Sequence, residues 1–252
     1  MHQVPDMNEE EYNIARDIFL QNLQEMVRNR VQVERDTVGQ ASNDLWHELR
    51  KKLVTAAMFG KVCKRKPTIS SAKLVERHLY SPSLDFIQNI NHGISNETVA
   101  IQQLEQQENI TINRCGLFID KELFYIGASP DGTFEGGIIE VKCPSSAFGT
   151  DAETAVQEGK ISFWRKDGSV NLRSNEYYQI QGQLHITQSK VCLFAVWTGA
   201  EFPMKVERIT RDDEFWQNQM QDRLIDYYFK CVLPEIVDSR RSRNMPLRDT
   251  IF

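Results

Sequence analysis

The chain predicts a mixed α/β (α+β) fold, a central mixed β-sheet flanked by helices, with an N-terminal helical extension. Three observations carry this. Short apolar runs at 123–128, 138–143, 191–198 and 204–210 are bounded by turn residues, as strands are. Longer amphipathic stretches at 8–34, 92–107, 175–187 and 213–231 have helical spacing. With 252 residues, 40% hydrophobic and 26% charged, the chain suits one globular core with appendages. Residues 1–43 form the expected extension, 44–232 the main domain and 233–252 a basic tail.

Composition narrows the function classes. No apolar run is long enough for a membrane span, and the polar, acidic 1–11 is unlike a signal peptide. The five cysteines are scattered and never form Cys-x-x-Cys, which fits free thiols in a reducing compartment. An intracellular location, cytoplasm or nucleus, is therefore expected. The Gly-x-x-x-x-Gly-Lys-Ser/Thr loop is missing, so no nucleotide cofactor is expected. The net charge of −5 is not that of a protein that binds nucleic acid by overall charge.

The elements follow in order. One long helix is expected from Asn8 to about Glu34, with Glu9 to Glu11 at its positive end. Tyr12, Ala15, Phe19, Leu23 and Met26 make its stripe, widened by Ile14, Ile18, Val27 and Val31. Next, Asp44 to Val62 carries Trp46 and Arg50. From Arg50 to Lys66 there are seven basic residues and no acidic one: Arg50, Lys51, Lys52, Lys61, Lys64, Arg65 and Lys66. That run is the best candidate track for a phosphate backbone. A helix capped by Ser70 or Ser71 should reach Tyr80, and another should run from His92 to about Gln107, with Glu97 in its first turn. A strand near 110–120 then turns at Lys121-Glu122 into the strand leading to Asp131.

Ser129-Pro130-Asp131-Gly132 is strong turn chemistry, and Gly136-Gly137 opens a strand, Ile138 to Cys143. Alternation sends Ile139 and Val141 to a core and Glu140 and Lys142 to the other face. Hairpin-like pairing returns Asp131, nine residues earlier, to the side of Glu140. Two carboxylates and a lysine then converge. Oxygen-only ligation favours Mg²⁺, with Mn²⁺ as a substitute, over Zn²⁺. A bound hard cation activates water and holds a phosphate oxygen.

Beyond this, a helix should pack between Ser145 and Gly159, and Lys166 to Ser169 should tip a hairpin. Asn175 to Thr187 places Gln179 and Gln183 one turn apart. Val191 to Thr198 reads as a central strand paired with Met204 to Thr210. A last helix runs from Asp213 to Cys231 and ends at Pro234. Arg240, Arg241, Arg243 and Arg248 give the tail its charge, in a flexible or subunit-contacting segment.

Taken in order, Trp46…Arg50, Gly93…Glu97, Ser129-Pro130-Asp131-Gly132, Glu140-Val141-Lys142 and Tyr-x-x-Gln at Gln179 resemble the lambda-exonuclease-like family, the YqaJ-type viral recombinases. These are a branch of the restriction-endonuclease-like PD-(D/E)xK nucleases. The resemblance spans about Leu45 to Arg211. It implies a restriction-endonuclease-like core and a metal-dependent deoxyribonuclease. The activity implied is an exonuclease that digests linear duplex DNA from an end, in recombination or repair. Asp131 and Glu140 are the implied metal ligands, with the Val141 carbonyl nearby and Glu97 helping to hold a second ion. Lys142 and Gln179 are implied to position the water, and Arg50 to grip a phosphate. Ala57 stands where the family commonly has Ser, which removes a hydroxyl from that grip. Some members form rings, so a homo-oligomer is open. Two other readings stay open: a catalytically silent nucleic-acid-binding or assembly module, and a nuclease acting on RNA or single strands.

Overall fold

A computed structural model of the chain describes residues 5–80 and 88–252, the side chains of 88–95 excepted. The chain opens with α1 (Glu9–Met26), whose first turn is closed by a capping box. Asn8 accepts the Glu11 amide at 3.0 Å, and Glu11 accepts the Asn8 amide at 3.1 Å. The expected single helix is in fact two. Asn29 accepts the Gln32 amide and starts α2 (Arg30–Asp36). The break has a packing reason. Leu23, Val27 and Val33 all belong to the buried core, but six residues separate the last two, and a straight helix would turn Val33 away. Of the widened stripe only Val27 is buried, while Ile14, Ile18 and Val31 are exposed, as is Met26 of the main stripe.

Asn43 caps α3 (Asp44–Lys52) through the Trp46 amide. Then come β1 (Val54–Thr55), α4 (Ala56–Cys63), α5 (Ala72–Tyr80) and α6 (Gln88–Glu108). Ser70 Oγ accepts the Ala72 amide ahead of α5. The middle of the chain supplies β2 (Phe118–Ile119), β3 (Ile126–Ala128), β4 (Gly132–Phe134) and β5 (Gly137–Lys142). After these lie α7 (Ala152–Gln157), α8 (Asn175–Thr187), β6 (Val191–Val196) and β7 (Lys205–Thr210). The hairpin expected around Lys166 to Ser169 is present as a Trp164–Val170 bridge. Trp164 is buried and stacks on Phe194 at 4.7 Å.

The strands form two mixed sheets rather than one. The first has the order β1-β3-β2, with β1 parallel and β2 antiparallel to β3. The second has the order β4-β5-β6-β7, with β5 and β6 parallel and both edges antiparallel. Ser129, Pro130 and Asp131 carry the chain from one to the other. Most of the expected 110–120 strand is not strand, because its amides are taken from outside the ladder. Glu34 accepts from Gly116 at 2.9 Å and Thr37 Oγ1 from Leu117 at 2.8 Å.

Helix α8 packs hard on α4. A side chain on Gly182 would strike the Phe59 ring, and one on Gly60 would strike Asn175, so both contacts need bare backbone. The C-terminal helix does not stop at Pro234. It runs through α9 (Asp213–Phe215), α10 (Asp222–Tyr227) and α11 (Leu233–Val237), joined by wider π stretches at Trp216–Gln221 and Tyr228–Val232. Proline lacks an N–H and crowds the preceding turn. The widened turn before Pro234 accommodates both.

The basic tail is anchored, not flexible. Arg240 and Arg243 bind Asp6, while Arg243 and Arg248 bind Asp238 and Arg248 also binds Glu235. The Arg240 hydrogen bond helps hold Asp6 down to about 2. Leu247 and Phe252 pack on the main core, and Ser71 donates to the Thr250 carbonyl. All five cysteines are free thiols. Among the described residues no helix is long and apolar enough to cross a membrane.

Candidate active site

Asp131 stands at the crossing between the two sheets, and the hairpin β4–β5 folds it back as expected. Gly136, at φ +98°, makes the turn. Gly132 pairs with Ile139, the Asp131 amide donates to the Ile139 carbonyl, and Asp131 Oδ2 accepts the Val141 amide at 2.7 Å. Val141 thus meets Asp131 through its N–H. Alternation on β5 also holds. Ile139 and Val141 pack with Ala100 and Leu104 of α6, whereas Ile138 packs with Ile180 and Leu184 of α8. Glu140 and Lys142 therefore face α8.

Glu140 is buried and takes three donors. Its Oε1 accepts Lys142 Nζ at 2.5 Å and Gln179 Nε2 at 2.7 Å. Its Oε2 accepts Gln183 Nε2 at 2.7 Å. Lys142 also approaches Gln179 Oε1 at 3.5 Å. Burial opposes charge on Lys142, but Glu140 and Asp131 outweigh it, and the ammonium is held above its usual range. Asp131 is the reverse: burial first, then Glu140 and Glu97, push its carboxyl well up. Burial, then Glu140, also raise Glu97 on α6. Glu97 in turn helps to raise Asp131, so the two carboxyls lie within electrostatic reach of each other. The side chains of His92 to Ser95, which include part of the Gly93-to-Glu97 match, lie outside the described residues.

Asp131 and Glu97, each pushed up by burial and by a neighbouring carboxylate, offer hard oxygen ligands of the kind that suits a divalent cation. Among the described residues no three of His, Cys, Asp and Glu already stand in ligating array. Glu140 instead turns its oxygens to Lys142, Gln179 and Gln183.

Arg50 lies beside this centre. Its guanidinium sits 4.1 Å over the Trp46 ring, and Trp46 Nε1 donates to Ser129 Oγ, two residues before Asp131. Burial pushes Arg50 down to about 10, and it has no ion-pair partner among the described residues. Ala57 is exposed on the first turn of α4. The other basic residues divide. Lys52 pairs with Glu48, Lys64 donates to the Arg173 carbonyl, and Arg65 donates to the Ile69 and Ser70 carbonyls. Burial and Arg77 lower Lys61. Lys51 and Lys66 are exposed, without an ion-pair partner among the described residues.

Two residues escaped the sequence reading. Gln183 contacts Glu140 directly; its spacing of four from Gln179 was the available signal. Arg114 is exposed and lies close enough to Glu97 to lower its pKa. The Asn113–Thr133 bridge and Gln40, which donates to the Cys115 and Pro130 carbonyls, pin the backbone on either side of Arg114. Gln181, the second glutamine of the expected motif, is structural: it bonds the Thr210 carbonyl and the Asp212 amide. His185 is structural too, stacked on Trp216 and paired with Asp120.

The YqaJ-like viral recombinase domain matches residues 45–190. No curated protein matches the chain. Among solved structures, the alkaline exonuclease LHK-Exo from Laribacter hongkongensis is 19% identical, with 79% of this chain and 96% of that one covered and a TM-score of 0.58. Its complex with dAMP is 20% identical, covering 75% and 91%, with a TM-score of 0.56. A SOX–RNA complex of KSHV is 13% identical, covering 94% and 76%, with a TM-score of 0.50. At such identities the likeness is one of fold, and that fold is the restriction-endonuclease-like core expected above.

Proposed function

We propose, from the premise that the chain belongs to the YqaJ-like viral recombinase domain family, that it is a divalent-metal-dependent exonuclease acting on the ends of linear duplex DNA. The observation that carries this reading is the convergence of Lys142 and Gln179 on the buried Glu140, with Asp131 bonded to the Val141 amide of the same strand. A structural hairpin has no use for the buried Glu140 carboxylate beside an Asp131 carboxyl that burial, Glu140 and Glu97 push well up.

Asp131 and Glu140, with Glu97, would hold Mg²⁺ or Mn²⁺. When bound, the ion supplies an activated water and neutralises phosphate charge. The chain's own groups do the rest. Lys142 enters as an ammonium, so its part is to neutralise developing charge on the phosphate rather than to remove a proton. Gln179 ties Lys142 to Glu140 and offers an uncharged amide to the attacking water. Hydrolysis forms one P–O bond to the water oxygen and breaks the one to the leaving strand, whose oxygen takes up a proton. Arg50, a guanidinium braced on Trp46, is suited to a terminal phosphate. Arg114, near enough to Glu97 to lower its pKa, would supply a further cation for the phosphate backbone.

The test is digestion of end-labelled linear duplex, closed circles, single strands and RNA with Mg²⁺, with EDTA and Asp131→Asn as controls. Metal-dependent loss of linear duplex alone is expected. Binding without cleavage of any substrate would overturn the reading in favour of a silent module, and cleavage of RNA or single strands alone would redirect it.

A further inference from the structure

The way Glu140 is held points to a residue that no motif marks. A carboxylate has about four acceptor sites, two on each oxygen. On Glu140, Oε1 has both filled, by Lys142 Nζ at 2.5 Å and Gln179 Nε2 at 2.7 Å. Oε2 has one filled, by Gln183 Nε2 at 2.7 Å. One site remains, on Oε2, beside the Gln183 amide.

Gln183 is itself completely buried, and its Oε1 has no hydrogen-bond partner. That orphan is informative. Turning the amide over would aim Oε1 at Glu140 Oε2, acceptor against acceptor, so the orientation seen is the one the carboxylate imposes. A position needed only for packing would take an apolar side chain and leave nothing unsatisfied. The fold instead tolerates an orphaned acceptor in order to place an N–H on Glu140. The helix cannot drift to relieve it, because Gly182 locks α8 against Phe59.

We infer that Gln183 is a positioning residue: it fixes the Glu140 carboxylate so that a divalent cation is taken through Oε2 alone, leaving Oε1 to Lys142 and Gln179. The inference rests on the proposed cation site. It makes Gln183 a determinant of metal affinity, acting through Glu140 without touching the metal or the substrate. Partners of this kind around a metal ligand typically change affinity by about 10- to 100-fold when removed.

The experiment is calorimetric titration of the full chain with Mn²⁺, without nucleic acid, together with the Mn²⁺-induced rise in Tm. Wild type is compared with Gln183→Met, which keeps the shape and loses the N–H, with Gln183→Leu, and with Glu140→Gln. The expected result is Mn²⁺ binding about 10- to 100-fold weaker in both Gln183 variants, with circular dichroism unchanged. Wild-type affinity in Gln183→Met alongside its loss in Glu140→Gln overturns the inference and leaves the cation site standing. Failure of wild type to bind Mn²⁺, or full binding by Glu140→Gln, overturns both. If the Gln183 variants do not fold, the wild-type chain still decides. The Gln183 side-chain amide resonance should shift during a Mg²⁺ titration with the midpoint of binding, and a resonance that stays fixed refutes the assignment.

Discussion

The Asp131 carboxylate accepts the Val141 amide at 2.7 Å, which ties the crossing between the sheets to the strand that carries Glu140 and Lys142. An asparagine oxygen can accept the same bond. Asp131→Asn should therefore keep the fold while removing one of three mutually repelling carboxylates. We expect cleavage to fall below detection and Tm to stay level or rise by a few degrees, as is common when a strained functional group is neutralised. Calorimetry alongside the digestion assay checks both halves, and a fall in Tm would contradict the electrostatic account.

Lys142 has a different signature. Its loss leaves Glu140 buried with one charged partner fewer. Lys142→Ala should abolish cleavage and also destabilise the chain, on the order of 1–3 kcal/mol, as an under-compensated buried carboxylate does. Urea unfolding in EDTA measures this, and an unchanged midpoint would show that the Gln179 and Gln183 amides suffice.

Under the proposed function, Arg50 and Ala57 would bear on how an end is recognised. Arg50→Ala should lower kcat/KM on 5′-phosphorylated ends by about 10- to 100-fold, the range for a lost hydrogen bond to a charged group. Ala57→Ser should increase the preference for phosphorylated over hydroxyl ends. Paired substrates that differ only in that phosphate give the answer, and equal losses on both would remove Arg50 from phosphate recognition.

Arg114 should act on binding rather than chemistry. Arg114→Ala is expected to weaken duplex binding and to lower the slope of log affinity against log salt by about one. A binding series from low to high salt, with EDTA present, measures it.

His78, packed behind Arg50, predicts a pH dependence of stability. Its Nε2 donates to the Leu53 carbonyl, its Nδ1 faces the Tyr227 hydroxyl, and Arg50 lies nearby, while burial pushes it down to about 4. Unfolded, it titrates near 6.5, so the unfolded chain binds more protons between those values. Stability from this group is complete above pH 6.5 and falls as pH drops towards 4, by about 3 kcal/mol in all. Denaturation at pH 7.5 and 4.5 should show the loss, and His78→Gln should lack that share of it.

What could be read from the residues alone follows their periodicity. The period of two on β5 separates Glu140 and Lys142 from Ile139 and Val141, and hairpin pairing returns Asp131 to them. The helix with Gln179 carries a recognisable motif. The split into two sheets was not legible, because β1 to β4 are two or three residues long and their spacing resembles one interrupted sheet. The helix break at Asn29 was hidden by apolar residues that continue the stripe into solvent. Gln183 and Arg114 were missed for opposite reasons. One looks like a polar residue on a spare helix face. The other sits in a segment held by Glu34, Thr37 and Gln40, whose pairing leaves no repeating pattern.

The three-residue passage from Ser129 to Asp131 has a metric consequence. Trp46 grips its first residue and supports Arg50, whereas its last residue belongs to the carboxylate cluster. Under the proposed reading, the place that seats a strand end and the place that cuts it are separated by a fixed gauge. Gln40 holds that gauge taut through the Pro130 carbonyl.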